Sequence, residues 1–341
     1  MEFTIWLTRD CNLNCKYCYV KKENYYMNYK TADKIIDFIK KKSFLLNMET
    51  IKVTFHGGEP LLNYKLIKYF VNRIKKIDFL NKKLRFLMAT NGLLVSDEII
   101  DFLKENFKYS LTLSIDGKKN THDEQRKFKN GEGSFENVLK TIEKLNASKI
   151  YFRYRMTVTS GNVKDLYENY EYLYKIGGRS IAFIPDYTDE NWDIDTINLY
   201  YKNFKEIVDF LMKNDNKLAV ILLQNLRKAY FRKRSFCSGG RNSFNIDCDG
   251  SIYPCVAVTG QNEYIIGHVE SGISNEKLAK LNLLTKIKNN NCNECKMFTR
   301  CEGSVCKLLN KQLTGDYNIP SSIMCNMNNV RLKILKDFKV I

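Results

Sequence analysis

No apolar run in this chain approaches the about 18 residues that a membrane-spanning helix needs. The first residues, Met1 to Trp6, contain no basic region followed by an apolar stretch, so a secretory signal is not expected. Histidine is scarce, with three in 341 residues, and His56 and His268 have no spaced partner, so neither is assigned a role. Acidic residues are in deficit: 38 against 55 Lys and Arg, a net charge of +17. Basic faces attract phosphates. Here, however, the lysines (Lys34, Lys40, Lys41 and Lys42, or Lys68, Lys75 and Lys76) are spread through amphipathic segments as solvated helix faces are. Nucleic acid and membrane are therefore not expected partners, and an acidic peptide is the better fit to the charge. Eleven cysteines without a secretory signal point to a reducing, cytoplasmic setting and to metal ligation, not to disulfides.

With 44% hydrophobic and 13% aromatic residues the chain can build a substantial core, and its length suits two domains or one large one. The first two-thirds alternate apolar, β-branched runs with helical periods. The strand-like runs are 3–8, 51–55, 84–89, 110–115, 150–158 and 180–184. Helical periods fall near 31–42, 63–78, 96–106, 134–146, 163–175 and 196–213, with Gly177-Gly178 stopping the fifth. Six βα units predict an α/β fold with a parallel sheet and outer helices. Six are too few to close an eight-fold barrel, so an open partial (β/α)6 TIM-like barrel is expected over 1–215. Residues 216–236 read as a strand and a basic bridging segment (Arg227, Lys228, Arg232, Lys233, Arg234), and 237–341 as a small cysteine-rich domain.

Ligands of such folds sit at the C-terminal ends of the strands, and four polar loops fall there. The first holds Cys11, Cys15 and Cys18; the second is His56-Gly57-Gly58-Glu59-Pro60; the third is Thr90-Asn91-Gly92; the fourth is Ser114-Ile115-Asp116-Gly117. Three thiolates can hold three irons of a cubane cluster and leave the fourth iron open for chemistry. A zinc site is the alternative, but no fourth Cys or His lies nearby to close a tetrahedron.

The spacing C-x3-C-x2-C, with Tyr17 before the last Cys, resembles the radical S-adenosylmethionine (radical SAM) superfamily. Gly57-Gly58-Glu59-Pro60 matches that family's GGEP motif. The resemblance implies a partial barrel, one 4Fe-4S cluster on Cys11, Cys15 and Cys18, and SAM chelated to its open iron. It also implies an oxidoreductase that cleaves SAM reductively to a 5'-deoxyadenosyl radical, which abstracts a substrate hydrogen under anaerobic conditions. Gly57 and Gly58 would let backbone approach the ligand. Glu59 would accept from the SAM ammonium. Tyr17 or Tyr19 would line the adenine, and Ser114 and Asp116 would bind the ribose, with Thr90 and Asn91 on the adjacent strand end. His122, Asp123 and Arg126 resemble a loop of related enzymes and are read as structural.

The remaining cysteines run Cys237, then Gly250-x4-Cys255, then Cys292, Cys295, Cys301 and Cys306, and finally Cys325. This resembles the SPASM domain, with one extra residue before Cys306, and implies two auxiliary 4Fe-4S clusters, three clusters in all. By position, Cys292, Cys295, Cys301 and Cys325 would hold the outer cluster, and Cys237, Cys255 and Cys306 the inner one. Cys248 is the unused cysteine. Asp249-Gly250 signals a two-residue hairpin loop in which Cys248 pairs with Ser251 and Cys255 lies opposite Phe244. Cys248 and Cys255 would then be roughly 13 Å apart at about 3.3 Å per residue, far for one cubane. An inner cluster without Cys248 keeps an open iron, which in some related peptide-modifying enzymes is thought to bind a substrate cysteine.

These features suggest a maturase that forms a thioether or related crosslink in a ribosomally made peptide. The first cluster cysteine comes so early that leader recognition would need the barrel itself or a separate leader-binding protein. A reductant such as flavodoxin or ferredoxin is the other expected partner. The alternative is an anaerobic sulfatase-maturing enzyme, which makes formylglycine from Cys or Ser. That family places an aspartate directly after the cysteine of the Gly-x4-Cys segment, and here the position is Val256. A non-catalytic iron–sulfur electron-transfer protein is a third class, disfavoured by the complete set of SAM motifs.

Overall fold

The structure, a computed structural model, describes residues 1–46, 48–232, 237–286, 292, 294–298 and 300–341. The chain forms two compact units. The first comprises Met1–Ile115, His122–Arg155 and Ser238–Lys280; the second Asp116–Thr121, Met156–Cys237 and Leu281–Ile341.

In chain order the strands are β1 (Glu2–Trp6), β2 (Thr50–His56), β3 (Lys83–Thr90), β4 (Leu111–Ser114), β5 (Phe152–Val158), β6 (Ile181–Pro185), β7 (Ser243–Ile246), β8 (Ser251–Tyr253), β9 (Gly267–His268) and β10 (Gly272–Ile273). The helices are α1 (Tyr29–Leu45), α2 (Tyr64–Lys75), α3 (Asp97–Asn106), α4 (Lys119–Gln125), α5 (Phe135–Ala147), α6 (Leu166–Lys175), α7 (Ile194–Asn214), α8 (Asn216–Phe231), α9 (Asn275–Lys286), α10 (Glu302–Val305), α11 (Lys307–Thr314) and α12 (Ser322–Asp337). Among the described residues no helix is long and apolar enough to cross a membrane.

In the first unit β1 to β5 pair in parallel in chain order. The six expected βα repeats are all present, shifted by up to three residues at their ends. The short helix α4 is added between β4 and α5. Period two divides each strand. In β2, Ile51, Val53 and Phe55 are fully buried and alternate with half-buried Lys52, Thr54 and His56. The apolar face packs on the helices, where Phe55 meets Phe70 of α2, Phe86 of β3 and Phe107 at ring-centroid distances of 5.9, 6.0 and 6.1 Å. The opposite face is polar along the neighbouring strands too: Thr112 and Ser114 on β4 stand beside Arg153 and Arg155 on β5.

The first arm of the hairpin read at Asp249-Gly250 takes a place the sequence reading did not give it, on the other side of β1. There the chain returns as β7, parallel to β1, with Phe3 beside Phe244 and their rings stacked at 5.2 Å. The strands β8, β9 and β10 then extend the sheet in antiparallel pairs.

The second unit carries the end of β5, where Val158 O accepts from Asp186 N–H at 2.7 Å, together with β6 and the long helix α7. Asp193 and Thr196 close a capping box at the start of α7. Its core is aromatic: Phe183 packs edge-on against Phe204 at 4.8 Å and Tyr170 at 5.8 Å.

One expectation fails here. Residues 216–231 are the helix α8, not a strand. The apolar run from Leu218 to Leu223 is β-rich in composition, but Ala219 and Leu223 are the buried pair, at i and i+4. Asp215 caps the first turn by accepting from Leu218 N–H at 3.1 Å. The basic segment's Lys233 and Arg234 lie outside the described residues.

Phe55→Ala should cost about 3–5 kcal/mol, because three neighbouring rings in a closed cluster cannot collapse into the space. The expected result is a lower urea midpoint at unchanged m.

Candidate functional site

Three of the four polar loops meet in the first unit through hydrogen bonds. The chain between β1 and Cys11 is held by the residues that follow β2: Gly58 N–H donates to Thr8 O at 3.0 Å and Glu59 N–H to Asp10 O at 3.0 Å. Both glycines are required by that approach. A Cβ on Gly57 would lie 2.2 Å from Thr8 O, and one on Gly58 would lie 2.2 Å from Asp10 O. Gly57 also adopts φ +138°. The glycines thus let this backbone approach the cysteine loop closely.

Glu59 is 1% exposed. Its Oε1 accepts from Leu61 N–H at 3.0 Å and from the Thr90 hydroxyl at 2.7 Å, and its Oε2 accepts from Asn91 N–H at 2.8 Å. A carboxylate can accept about four such bonds, so Oε2 keeps one acceptor position. Burial pushes the Glu59 pKa up to about 7, against the pull of Asn91, Thr90 and Leu61. The Thr90 hydroxyl also accepts from Gly92 N–H at 3.0 Å. Asn91 turns its amide toward the cysteine loop, donating to Asn12 Oδ1 at 2.7 Å and reaching Cys11 Sγ at 3.8 Å.

Cys11 is buried, and Cys15 and Cys18 are half-buried. Cys18 N–H donates to Cys15 O at 3.2 Å, closing a tight turn. Burial pushes the Cys11 thiol up to about 12, and the charges of Glu59 and Cys15 add to it. A thiol so placed becomes a thiolate when a metal takes the proton's place. The donor set therefore fits an iron–sulfur group, and no second buried charge competes for it in this loop.

Around this loop lie residues that motif reading passed over. His56 ends β2, packs against Trp6 with centroids 4.9 Å apart, and meets the Tyr19 hydroxyl at 3.3 Å through Nε2. Its Nδ1 is buried without a hydrogen bond among the described residues. Burial, helped by the charge of Arg155, pushes its pKa down to about 4. His122 and Asp123 are structural: His122 meets the Ser134 hydroxyl at 3.0 Å and Asp123 accepts from Phe135 N–H at 2.8 Å. Arg126 differs, being buried with its guanidinium 5.2 Å from the centre of the Tyr17 ring. The loop resemblance named Arg126 but read it as structural; its pairing with Tyr17 appears only in three dimensions. Ser114 closes β4 beside Arg155. Asp116 falls in the second unit, where its carboxylate accepts from Thr157 N–H at 2.8 Å.

The hairpin carrying Cys248 is present, but its register is one residue off the expected one. Asn245 pairs with Tyr253 and Ile246 with Ile252, and Asp247 N–H donates to Ser251 O at 2.9 Å. The loop is three residues, Cys248 to Gly250, with Gly250 at φ +94°. Asp247 imposes this loop. Its carboxylate accepts from Cys248 N–H at 2.7 Å and forms a two-pronged ion pair with Arg9, at 2.5 and 3.3 Å. Cys248 is 1% exposed, and burial pushes its thiol pKa upward. Cys255 lies past the end of β8 and opens a short 3-10 turn, Val256–Val258, in which Val256 is 37% exposed.

In the second unit, Cys292, Cys295, Cys301 and Cys325 act on one another. The Cys325 thiol is pushed up by burial and then by the charges of Cys301, Cys292 and Cys295; Cys292 is pushed up by burial and then by Cys301 and Cys295. Cys301 Sγ accepts from the Asn328 amide at 3.4 Å. Among the described residues no three His, Cys, Asp or Glu side chains form a ready cage for a single metal ion. Four neighbouring thiols suit a cubane, in which each thiolate takes its own iron. Cys255 belongs to the first unit, and Cys237 and Cys306 to the second.

Comparisons with known proteins agree with this arrangement. The family model described as Radical SAM superfamily matches residues 5–173. An uncharacterized protein of Methanocaldococcus jannaschii is 33% identical over 260 residues, covering 74% of this chain and 84% of the relative. A cysteine-type anaerobic sulfatase-maturating enzyme of Clostridium novyi is 27% identical over 320 residues, covering 86% and 84%. The radical SAM cyclopropyl synthase TigE of Paramaledivibacter caminithermalis is 26% identical over 328 residues, covering 87% of this chain and 66% of the relative. Among solved structures, native anSMEcpe with bound AdoMet and the Cp18Cys peptide superposes with a TM-score of 0.82 at 21% identity, covering 99% of this chain and 97% of that one.

The raised pKa of Glu59 fixes the sign of a pH effect. Its folded value, about 7, lies above the ordinary 4.5, so the folded protein keeps a proton in that window that the unfolded chain has released. Stability from this group is present at low pH, declines as pH rises from 4.5 to about 7, and is level above that. The expected result is a urea-midpoint difference between wild type and Glu59→Gln that changes between about pH 5 and about pH 8 in SAM-free protein. A pH-independent difference would show that Glu59 is ionised throughout.

Proposed function

The chain belongs to the radical SAM superfamily, and on that premise we propose that it is a maturase that crosslinks a ribosomally made peptide, most simply through a thioether. Cys11, Cys15 and Cys18 would hold the N-terminal cluster. Glu59 Oε2, with one protein donor, is the oxygen left to receive the SAM ammonium. Arg126 and Arg155 put positive charge near Tyr17 and suit the SAM carboxylate. The Tyr17 and Tyr19 rings and Ser114 are the candidates for adenine and ribose. When bound, the cluster and SAM supply a 5'-deoxyadenosyl radical that takes a hydrogen atom from the substrate. The chain's own residues orient SAM and fix the cysteine loop: Asn91 and the Gly58 and Glu59 backbone N–H groups hold the loop and the residues leading into it, and Asp247 anchors Arg9. In the second unit, Cys292, Cys295, Cys301 and Cys325 would hold an auxiliary cluster.

The observation that carries the crosslinking reading is Val256. Formylglycine formation needs a base for the substrate side chain, and at the position after Cys255 this chain presents an exposed isopropyl group. A second reading, oxidation of Cys or Ser to formylglycine, is favoured by the similarity to the sulfatase-maturating enzyme over most of both chains. The fold itself does not choose, since one fold hosts many reactions.

Anaerobic co-expression with short peptides encoded beside the gene, followed by tandem mass spectrometry, separates the two. The expected product is two hydrogens lighter, its cysteine resists alkylation, and Cys15→Ala abolishes the change. An aldehyde on a Cys-type sulfatase peptide, with no crosslinked peptide, would establish the second reading.

A further inference from the structure

The second unit contains a lysine with almost no exposure. Lys307, the first residue of α11, is 2% exposed. Its ammonium has one hydrogen bond, to Asn318 Oδ1 at 3.1 Å, and no carboxylate within ion-pair distance among the described residues. Lysine is rarely fully buried unless paired, and an unpaired ammonium in such a place is costly. The charged groups facing it are the Cys292 thiol and, after it, Asp316. Cys292 is one of the four mutually interacting thiols, and Cys301 of the same set already receives an N–H bond from Asn328. The segment between them is fixed: the Ser304 hydroxyl lies 2.7 Å from Phe298 O and 2.8 Å from Cys301 O. The buried stem and the start of α11 thus hold the cation where it acts on one thiol of the set.

We infer that Lys307 is the buried counter-charge of an iron–sulfur cluster on Cys292, Cys295, Cys301 and Cys325, and that it sets that cluster's reduction potential. The inference rests on the auxiliary cluster proposed above. Four thiolates on a cubane core leave a net negative charge, and reduction adds one more. A fixed cation nearby favours the reduced form and raises the potential. Without a cluster the lysine faces Asp316 and a thiol but forms no ion pair with either; a cluster on the four thiolates would add negative charge beside it.

The test is an anaerobic redox titration followed by EPR, in the Cys11→Ala/Cys15→Ala/Cys18→Ala background so that only auxiliary clusters report. Lys307→Met keeps the stem and removes the charge; Lys307→Arg keeps the charge. The expected result is that Lys307→Met lowers the reduced-to-oxidised ratio of one cluster at least tenfold at fixed potential, a shift of about 59 mV to the negative for one electron. Iron content should be unchanged, and Lys307→Arg should stay near wild type. Loss of the cluster in Lys307→Met but not in Lys307→Arg supports the same role. An unchanged potential at full iron content overturns it, as does equal iron loss in both variants, which would make Lys307 a packing group. The cluster itself is checked separately: Cys292→Ala with Cys325→Ala should remove about four irons per chain. Retention of those irons would remove the premise and not the lysine alone.

Discussion

The hydrogen bonds of one buried carboxylate organise the site. Glu59 ties the end of β2 to the end of β3 through Thr90 and Asn91, and Asn91 passes that connection to the cysteine loop through Asn12. Three loops distant in sequence are therefore fixed by a single group that water cannot reach. The arrangement has an electrostatic cost, visible in the raised pKa, that a bound cation would offset. The ammonium proposed for this place would favour the ionised carboxylate, coupling its binding to proton release at Glu59.

Around that group, strand periodicity separates stability from chemistry. The helix-facing side of β2 is a closed aromatic and aliphatic core, while the other side presents His56, Thr54 and Lys52. The same alternation puts Arg153 and Arg155 of β5 on the polar side. Substitution on one face is felt as folding energy and on the other as altered binding, although the residues are neighbours in sequence.

Much of this was legible in the chain. Six βα periods predicted the parallel strands and their order, and the placement of the Cys11 loop, Gly57–Glu59, Thr90 and Ser114 at strand ends followed from it. The failures have physical causes. The run at Leu218 is as apolar as a strand, and only the Asp215 cap and the burial of Ala219 and Leu223 decide for a helix. The hairpin at Asp249-Gly250 was recognised by its turn residues, but its register depends on Asp247, whose partner Arg9 lies 238 residues away. That Gly57 and Gly58 also make room for Thr8 and Asp10 was not readable from the motif. Lys307 belongs to no motif, and the partners of His56 and Arg126 are not encoded by the loops that carry them.

The parallel pairing of β7 with β1 bears on how such chains are cut and recombined. Judged by its cysteines, the segment after residue 236 looks like a module that can be exchanged between relatives. Yet β7 supplies the neighbour of β1 from Glu2 to Ile5, and Phe244 covers the ring of Phe3. A chain ended before Ser238 would leave β1 as a bare edge with unpaired N–H and C=O groups and two exposed apolar side chains, the template on which strands from other molecules add. Shuffling within this architecture would have to carry residues 238–280 along with the first strand, making the first and last thirds of the gene a single inherited block.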